Sequence, residues 1–372
     1  MGRKRRSERS AVGLILPPPS VVAGAVRVRA AVGRVHDRML PPAVFVLERL
    51  SGLLEVRLLA VVAELGIPDR LHELAQDAHE LAGRVGADAD ALGRVLRFLV
   101  SRGIFTRTRD GRYANNAVTD LLRSDHPQSM RDWVLFIGSS WHGAIWNHAD
   151  HSVRTGASAT EAAFGTAFFE YVQHRNPAAG TQFDAAMASG SRLQADLLLR
   201  RYDFSGASSV CDVGGGTGTV LAEVLRRHVG LRGTLFDLPD VVARAGEQLA
   251  DVADRCEIVG GDFFREVPCG HDAYLLLAIV HDWADEPAAA ILTNVRRAMA
   301  PGGRAVVVES VMPDHDRPDL SKQFDVLMLV LTGSGRERTR AELEALFSAA
   351  GLRVGRDITL PNLFHAFELV SA

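Results

Sequence analysis

A glycine-rich turn is the first feature of this 372-residue sequence with residue types suited to binding a cofactor. It reads DVGGGTG from Asp212 to Gly218 and follows a short apolar segment. Glycines allow a tight turn and let a ligand approach the backbone closely. A dinucleotide fingerprint that contains Gly214 and Gly216 would need its third glycine at the position of Thr219, which weakens the case for a nicotinamide cofactor.

Two acidic residues follow at the ends of later apolar segments. Asp237 comes 23 residues after Gly214, where a carboxylate can accept hydrogen bonds from both hydroxyls of a ribose. Asp262 can hydrogen-bond an adenine amino group while the ring of Phe263 packs on the base. The glycine turn and the two acids together predict a ligand that contains a nucleoside but no pyrophosphate. S-adenosylmethionine satisfies this description. Each acid alone could also be a helix cap.

His281 ends a fourth apolar segment, where the reactive end of such a cofactor is expected. A phenol has a pKa of ~10 and is a poor nucleophile at pH 7 until a base removes its proton, and histidine is a suitable base. Glu309, at the end of the next segment, or Glu337, in a later loop, could orient the imidazole. Alternatively, His281 is a buried or helix-capping residue and the glutamates are surface or salt-bridging groups.

A sheet must bring these residues together. After Tyr202, apolar strands alternate with helical patterns, at residues 209–213, 232–236, 256–259, 273–277 and 304–309, with a terminal pair at 352–359 and 366–370. The alternation predicts βαβ units in a mostly parallel sheet of the Rossmann-like α/β class. Ligands then bind beyond the carboxyl ends of the strands.

The preceding half of the chain is expected to be helical. A long helix is predicted at Pro42–Leu65, followed by shorter helices and a hairpin with an Asp110-Gly111 turn, which is the outline of a winged helix. Three arginines near the candidate recognition helix are too few for DNA binding. We therefore predict three parts: a basic, partly disordered leader (1–38), a helical winged-helix-like dimerisation and substrate-pocket domain (39–200), and a cofactor domain (201–372).

Composition narrows the class of partner. Lys and Arg number 42 against 45 Asp and Glu, a net charge of −3 that gives no reason to expect nucleic acid or a membrane as the main partner. The three cysteines have neither disulfide nor metal-ligand spacing. The apolar run 11–16 is too short for a secretory signal. A cytoplasmic enzyme acting on a small molecule is expected.

The sequence resembles the S-adenosylmethionine-dependent O-methyltransferases of the caffeate type, particularly the actinobacterial members that modify aromatic natural products. The resemblance covers about residues 40–370 and rests on six motifs in a specific order. These motifs are the glycine turn, Asp237-Leu238-Pro239, Gly261-Asp262-Phe263-Phe264, His281-Asp282-Trp283, Pro301-Gly302-Gly303 and Gly335-Arg336-Glu337-Arg338-Thr339.

The resemblance implies a role for each matching residue. It implies that the cofactor-binding residues are Gly214, Asp237, Asp262, Phe263 and Trp283. It also implies that His281 is the proton acceptor, flanked by Glu309 and Glu337. At Leu277, where the plant enzymes carry lysine, one cofactor contact departs from the pattern.

The resemblance further implies a homodimer, a small aromatic hydroxylated acceptor and no metal. Three alternatives stay open at this stage: a family member that uses the cofactor for hydroxylation or decarboxylation, a winged-helix regulator that senses an aromatic ligand, and a nicotinamide-dependent oxidoreductase. An aromatic acceptor pocket is expected from residues of the helical half: Trp133, Trp141, Trp146, Phe168, Phe183 and Met187.

Overall fold

The N-terminal half of the chain is built from helices. A computed structural model describes residues 18–362 and 364–372. The first helices are α1 (Pro19–Arg38), α2 (Pro42–Glu64), α3 (Ile67–Arg70), α4 (Ala78–Val85) and α5 (Ala89–Ser101). The hairpin strands β1 (Thr106–Arg107) and β2 (Tyr113–Ala114) precede α6 (Ala117–Asp120), α7 (Arg131–Gly138), α8 (Ser140–Trp146), α9 (Ala149–Thr155), α10 (Ala159–Phe164), α11 (Phe168–Glu170), a π-helical turn (Tyr171–Arg175) and α12 (Pro177–Leu199).

Helix α1 corrects the expectation of a partly disordered leader. Residues 19–38 form a regular helix with a proline at its first position, where the missing N–H costs nothing. Val21, Val28, Val32 and Val35 recur at helical spacing along it. The basic residues before the helix and the run of three prolines that ends at its first position masked this pattern in the sequence. The first 17 residues of the expected leader lie outside the described residues.

The winged-helix outline is confirmed. Helix α5 begins after Asp88, whose carboxylate accepts a hydrogen bond from Ala91 N and caps the helix. Strands β1 and β2 pair antiparallel around a turn in which Gly111 has a φ of 87°. Buried residues of the helix and the hairpin, such as Leu96 and Tyr113, share one core.

The C-terminal half is a seven-stranded sheet covered by helices. Its strands are β3 (Ser209–Val213), β4 (Arg232–Asp237), β5 (Cys256–Gly260), β6 (Ala273–Leu277), β7 (Arg304–Glu309), β10 (Leu352–Thr359) and β11 (His365–Ser371), in the order β10-β11-β7-β6-β3-β4-β5. Helices α13 (Thr219–Arg227), α14 (Pro239–Val242), α15 (Asp285–Ala298), α16 (Leu320–Thr332) and α17 (Arg340–Ala349) connect the strands, and a small parallel pair joins β8 (Val311–Met312) to β9 (Arg338–Thr339).

The topology indicates at which edge of this sheet a ligand is expected to bind. Strands β3 to β7 are parallel to one another, and β11 runs antiparallel to both of its neighbours, β7 and β10. The chain moves outward from β3 through β4 to β5, then returns to β6 on the other side of β3. Such a reversal opens a crevice beyond the carboxyl ends of β3 and β6, as the sequence predicts for an α/β fold.

Helix α16 joins the two halves of the molecule. It follows the sheet strands in sequence, but Leu327, Met328 and Leu331 pack in the same core as Phe136 and Ile145 of the helical half. The hydroxyls of Ser158 and Thr160 both donate to the Leu331 carbonyl, at 2.6 and 2.8 Å. This packing of α16 into the core of the helical half was not predicted from the sequence, because the apolar pattern of a helix does not show which core it enters.

Within residues 18–362 and 364–372, none of the helices combines the length and the apolar character that crossing a membrane requires.

A large apolar surface remains uncovered in the single chain. We call it the α1/α2 apolar face; it consists of exposed residues on both helices, namely Val21, Val28, Val32, Val35, Met39, Val44, Val46, Leu47, Leu50, Leu53 and Leu54. Contiguous exposed apolar surface of this kind marks an interaction site. The expected homodimer would cover it.

We predict that replacing Leu50 and Leu54 together by Glu breaks the dimer, because both charges would be buried in the interface. Light scattering of the unmodified chain should give about twice the chain mass of 40.2 kDa, and the double variant should give a lower mass or aggregate. Val153→Glu is the control, because Val153 is 79% exposed but lies outside the α1/α2 apolar face. A monomeric unmodified chain at micromolar concentration would contradict the prediction.

Candidate active site

The glycine turn lies between the end of β3 and the start of α13. Gly214 has a φ of 70°, and a Cβ placed there would lie 2.6 Å from Ile279 Cδ1, so the position requires glycine. Its N–H donates to Phe236 O at 2.8 Å, which fixes the turn against β4. The turn is therefore packed closely between β4 and Ile279.

Asp237, at the end of β4, faces this turn. Its Oδ2 accepts a hydrogen bond from Gly216 N at 2.8 Å and its Oδ1 accepts one from Leu238 N at 2.7 Å. Burial raises the pKa of Asp237, while the two backbone hydrogen bonds act to lower it. The carboxylate is thus held rigidly where β3 and β4 end, as a ribose site requires.

A cavity of about 410 Å³ opens beyond these strand ends. Its lining includes all five residues predicted to bind the cofactor, Gly214, Asp237, Asp262, Phe263 and Trp283, together with Leu277. The opposite wall comes from the helical half, through the π-helical turn and α12. Residues that are far apart in sequence, and that come from both halves of the molecule, therefore enclose one space.

Aromatic rings gather at one end of the cavity. Trp283 stacks with Phe169 of the helical half at 5.8 Å between ring centroids and packs edge-on against Phe263 and Phe264. Asp262 lies in the same segment, where its Oδ1 accepts a hydrogen bond from Phe264 N at 2.9 Å. One oxygen of Asp262 is therefore occupied by a backbone hydrogen bond within its own turn, which fits the alternative that such an acid caps local structure.

The sequence analysis missed Asp212 as a site residue. It is buried in β3 and lines the cavity, and its Oδ2 has no hydrogen-bond partner among the described residues. Burial, with a contribution from Asp237, raises the pKa of Asp212 to about 7. Its position near the end of β3, two residues before Gly214, was a usable signal, because parallel strands present their last residues to the ligand crevice.

His281 lies on a short 3-10 turn, Val280–Asp282, after β6. The chain leaves the strand through Ala278, which has a φ of 54°, a conformation uncommon for a residue other than glycine. Glu309 Oε1 accepts hydrogen bonds from Ile279 N and Val280 N at 3.1 and 2.9 Å. The carboxylate at the end of β7 therefore fixes the backbone that carries the histidine.

Arg338 holds the same turn from the opposite side. Its buried guanidinium donates to Val280 O at 2.9 Å, to Trp283 O at 2.7 Å and to Asp285 Oδ1 at 2.9 Å. The planar fork of arginine suits several acceptors in fixed directions. Arg338 belongs to the Gly335–Thr339 motif, but the sequence alone does not reveal this role.

The imidazole of His281 is oriented by Glu337. His281 Nδ1 lies 2.8 Å from Glu337 Oε1 but 4.0 Å from Glu309 Oε2. Glu337 is itself fixed, because its N–H donates to Asp325 Oδ1 at 3.0 Å. The structure thus distinguishes the two glutamates that the sequence left equivalent: Glu337 contacts the ring and Glu309 mainly holds its backbone.

Two opposing effects, burial and nearby carboxylates, act on the pKa of His281. Burial would lower the pKa of His281, but the carboxylates of Asp282, Glu309 and Glu337 outweigh it and raise the pKa to about 10. Burial raises the pKa of Glu309 to about 7, against the lowering effect of His281. In the chain alone the imidazole therefore holds a proton at pH 7.

The sequence shows no metal-ligand spacing, yet the fold brings three possible ligands together. One ring nitrogen of His281 and one oxygen each of Glu309 and Glu337 lie within 4.8 Å of one another. However, Glu309 Oε1 already accepts two backbone N–H groups and Glu337 Oε1 contacts the imidazole. These contacts favour a hydrogen-bonded group over a metal centre.

The aromatic residues expected around the acceptor divide into two sets. Phe183 and Met187 of α12 line the cavity. Trp133, Trp141 and Phe168 belong to the aromatic core behind it. Trp146 is partly exposed, and Phe169, which the prediction omitted, lines the cavity instead.

Comparison with known proteins places this geometry in a family. A model of the O-methyltransferase domain matches residues 146–353, and a model of the O-methyltransferase dimerisation domain matches residues 47–125. The chain is 40% identical to a phenazine O-methyltransferase of Lysobacter antibioticus, over 85% of this chain and 92% of that protein. It is 39% identical to a mitomycin biosynthesis 6-O-methyltransferase of Streptomyces lavendulae, over 83% and 88%.

A solved structure adds the cofactor. CalO1, a methyltransferase in calicheamicin biosynthesis crystallised with bound S-adenosylhomocysteine, superposes with a TM-score of 0.79 at 36% identity, over 89% of this chain and 98% of that one. Some other relatives are named as N-methyltransferases. The chain belongs to the S-adenosylmethionine-dependent O-methyltransferases and carries the dimerisation domain of that family.

Proposed function

We propose that this enzyme methylates a phenolic hydroxyl of a small aromatic natural product, with His281 as the general base. The observation that carries the proposal is the 2.8 Å contact between His281 Nδ1 and Glu337, next to a cavity with aromatic walls. With Nδ1 facing Glu337, Nε2 is the nitrogen left to accept a proton. The relatives named for phenazine and mitomycin chemistry support an aromatic acceptor.

The residues around the cavity fit the cofactor. The glycine turn lines the cavity at Gly214, and Asp237 presents a fixed carboxylate for the ribose hydroxyls. Asp262, Phe263 and Trp283 would hold the adenine. When bound, S-adenosylmethionine supplies an electrophilic methyl group on a sulfonium sulfur.

Each member of the His281 cluster has a separate task in this proposal. His281 Nε2 would accept the proton of the acceptor hydroxyl, and the bound cofactor would supply the methyl group, with the electron pair of the broken carbon–sulfur bond staying on its sulfur. Glu337 orients the imidazole and stabilises the charge that it gains, and Glu309 keeps the turn in place. Because the carboxylates keep the imidazole protonated at pH 7 in the chain alone, a positive charge in the cavity would help release that proton.

The two halves of the chain have separate roles in this proposal. The part at 201–372 binds the cofactor, while the part at 39–200, together with α1, supplies the dimer surface, and it also provides most of the acceptor pocket. Alignment of oxygen, carbon and sulfur provides most of the acceleration, and proton removal contributes on the order of 10²–10⁴. Aromatic side chains on the cavity wall exclude water and pack against a flat ring.

The test of the function is direct. The purified enzyme is incubated with S-adenosylmethionine and a panel of hydroxylated aromatics, and the products are analysed by mass spectrometry. We expect a gain of one CH₂ mass on a phenol. A panel in which only arylamines gain that mass would contradict the phenolic assignment.

We predict that His281→Ala lowers turnover on a phenol by a factor on the order of 10² or more while cofactor affinity stays near its original value, since only the base is lost. Steady-state kinetics and calorimetry measure the two quantities. His79→Ala, an exposed position on α4, is the control. Equal turnover in both variants would rule out His281 as the base.

We predict that kcat/KM rises with pH above 7, because the base form of His281 increases as pH approaches its raised pKa. Glu337→Gln removes a negative charge next to the ring, so the inflection should move to lower pH while the maximal rate falls. Phenol ionisation also raises the rate with pH, so the profile of His281→Ala is subtracted. An inflection unchanged in Glu337→Gln would argue against this electrostatic link.

We predict that Asp237→Ala weakens S-adenosylmethionine binding by roughly 1.5–3 kcal/mol, the range for a hydrogen bond to a charged group. Calorimetry gives the dissociation constant, and thermal unfolding reports whether the fold is retained. Asp240→Ala is the matched control, because Asp240 is an exposed acid three residues further on. Unaltered affinity in Asp237→Ala would mean that the ribose binds elsewhere.

A further inference from the structure

An ion pair joins the two halves of the molecule across the cavity. Asp184 lies on α12 of the helical half, and Arg244 follows α14 of the sheet half by two residues. Arg244 Nη2 lies 2.7 Å from Asp184 Oδ2, and both side chains line the cavity. The proposed mechanism assigns no task to either residue, so their contact needs a separate explanation.

The pair runs from the cavity wall towards solvent. The Asp184 side chain is 23% exposed, whereas that of Arg244 is 47% exposed. Burial raises the pKa of Asp184, and the charge of Arg244 acts against this. A largely buried carboxylate loses hydration that a cation has to replace, so the closed pair is favoured over separated side chains. Separation is still accessible, because water can hydrate the guanidinium at the surface.

The pair lies beside the acid that is expected to hold the ribose. Burial has the largest effect on the pKa of Asp237, but the charge of Asp184 also raises this pKa and that of Arg244 lowers it. Leu238 and Val241, from the segment that leads to Arg244, line the same cavity. The ion pair is therefore placed on the side of the cavity that Asp237 occupies.

This contact differs from the aromatic contact between the same halves. Phe169 stacks on Trp283, which belongs to the turn that Arg338 fixes, so neither side of that contact moves easily. On the ionic side, the buried residues Val242 and Ala245 anchor the backbone around Arg244 in the core of the sheet half. The long arginine side chain is the part that can swing away, since it needs only to exchange Asp184 for water.

We propose that Asp184 and Arg244 form a gate over the ribose end of the cavity, which S-adenosylmethionine and S-adenosylhomocysteine pass only while the ion pair is open. The inference rests on the proposed function, because that places the ribose at Asp237. The gate acts on access and not on affinity, and neither residue has to touch the bound cofactor. A gate that is open for a fraction of the time slows entry and departure by the same factor.

The alternative is that Arg244 binds the carboxylate of the cofactor directly. In that case removing its charge speeds departure, leaves the rate of entry nearly unchanged and weakens binding. If the pair is a gate, its removal speeds entry and departure together and leaves the dissociation constant nearly unchanged. The two cases therefore differ in measurable rate constants.

The experiment measures both rate constants for S-adenosylhomocysteine. This ligand is the probe because it lacks the sulfonium charge, so its encounter with the protein depends little on one charged side chain. Association is followed by stopped-flow tryptophan fluorescence, with Trp283 on the cavity wall as reporter, and departure of labelled ligand is followed after an excess of unlabelled ligand. We expect Asp184→Asn to raise both rate constants by roughly three- to tenfold, the range for losing a partly buried ion pair, with the dissociation constant from calorimetry within about twofold.

Further variants show whether the two residues act as a pair. Arg244→Gln should have the same effect as Asp184→Asn, and the double variant should have no larger effect than either, because each change removes the same contact. Arg226→Gln is the matched control: Arg226 also forms an ion pair at 2.7 Å, with Asp251, but away from the cavity lining, so both rate constants should stay near wild type. Thermal unfolding identifies a variant that fails to fold; if Asp184→Asn does, the more exposed Arg244→Gln decides.

Several outcomes would overturn the inference. Wild-type rate constants in the folded variants would show that the pair does not control access, and additive effects in the double variant would show that the residues act separately. Faster departure with unchanged entry and weaker binding would assign Arg244 to the cofactor itself. In each of these cases methylation of phenols still supports the proposed function, whereas unaltered cofactor affinity in Asp237→Ala contradicts the placement of the ribose on which both proposals depend.

Discussion

The burial of an imidazole among three carboxylates is the constraint on which the active site depends. Charged groups inside a protein are tolerated only when each is paired or hydrogen-bonded. Here two contacts pair the carboxylates: Glu309 accepts hydrogen bonds from two backbone N–H groups just before His281, and Glu337 contacts the imidazole. Arg338 satisfies the carbonyls of the same turn. The geometry around His281 therefore depends on the same hydrogen bonds that pair most of these buried groups, whereas Glu309 Oε2 and Glu337 Oε2 have no partner among the described residues.

These contacts also explain why the site lies where two halves meet. The sheet supplies the glycine turn and the acids at its strand ends, but a sheet edge alone would leave the cofactor open to water. Helix α12 lines the cavity at that edge, and Phe169 of α11 stacks on Trp283, which follows the turn that carries His281. Helix α16 fixes Glu337 through Asp325 while its apolar side enters the helical core. Helices α11 and α12 thus enclose the cavity, and α16 fixes the position of Glu337.

Much of this arrangement was predictable because it is local in sequence. Strand periodicity identified the sheet and its chemistry-bearing ends, and the glycine turn and Asp237 follow from the strand rule for α/β folds. What was not predictable depends on long-range packing. Glu309 and Glu337 looked equivalent until the fold placed one on the backbone and the other on the ring. The role of Arg338 likewise requires knowing which carbonyls the fold leaves unpaired, and α1 was misjudged because charge was weighed above spacing.

The packing of helix α16 into the core of the helical half affects the order in which the chain can fold. A ribosome releases the helical half first, but the core around Phe136 and Ile145 is completed only by residues of α16, near position 330. Chains of this size tend to fold unit by unit as they emerge. The helical half thus keeps part of its apolar interior unfilled until nearly the whole polypeptide has been made, and its maturation during synthesis waits for the domain that follows it.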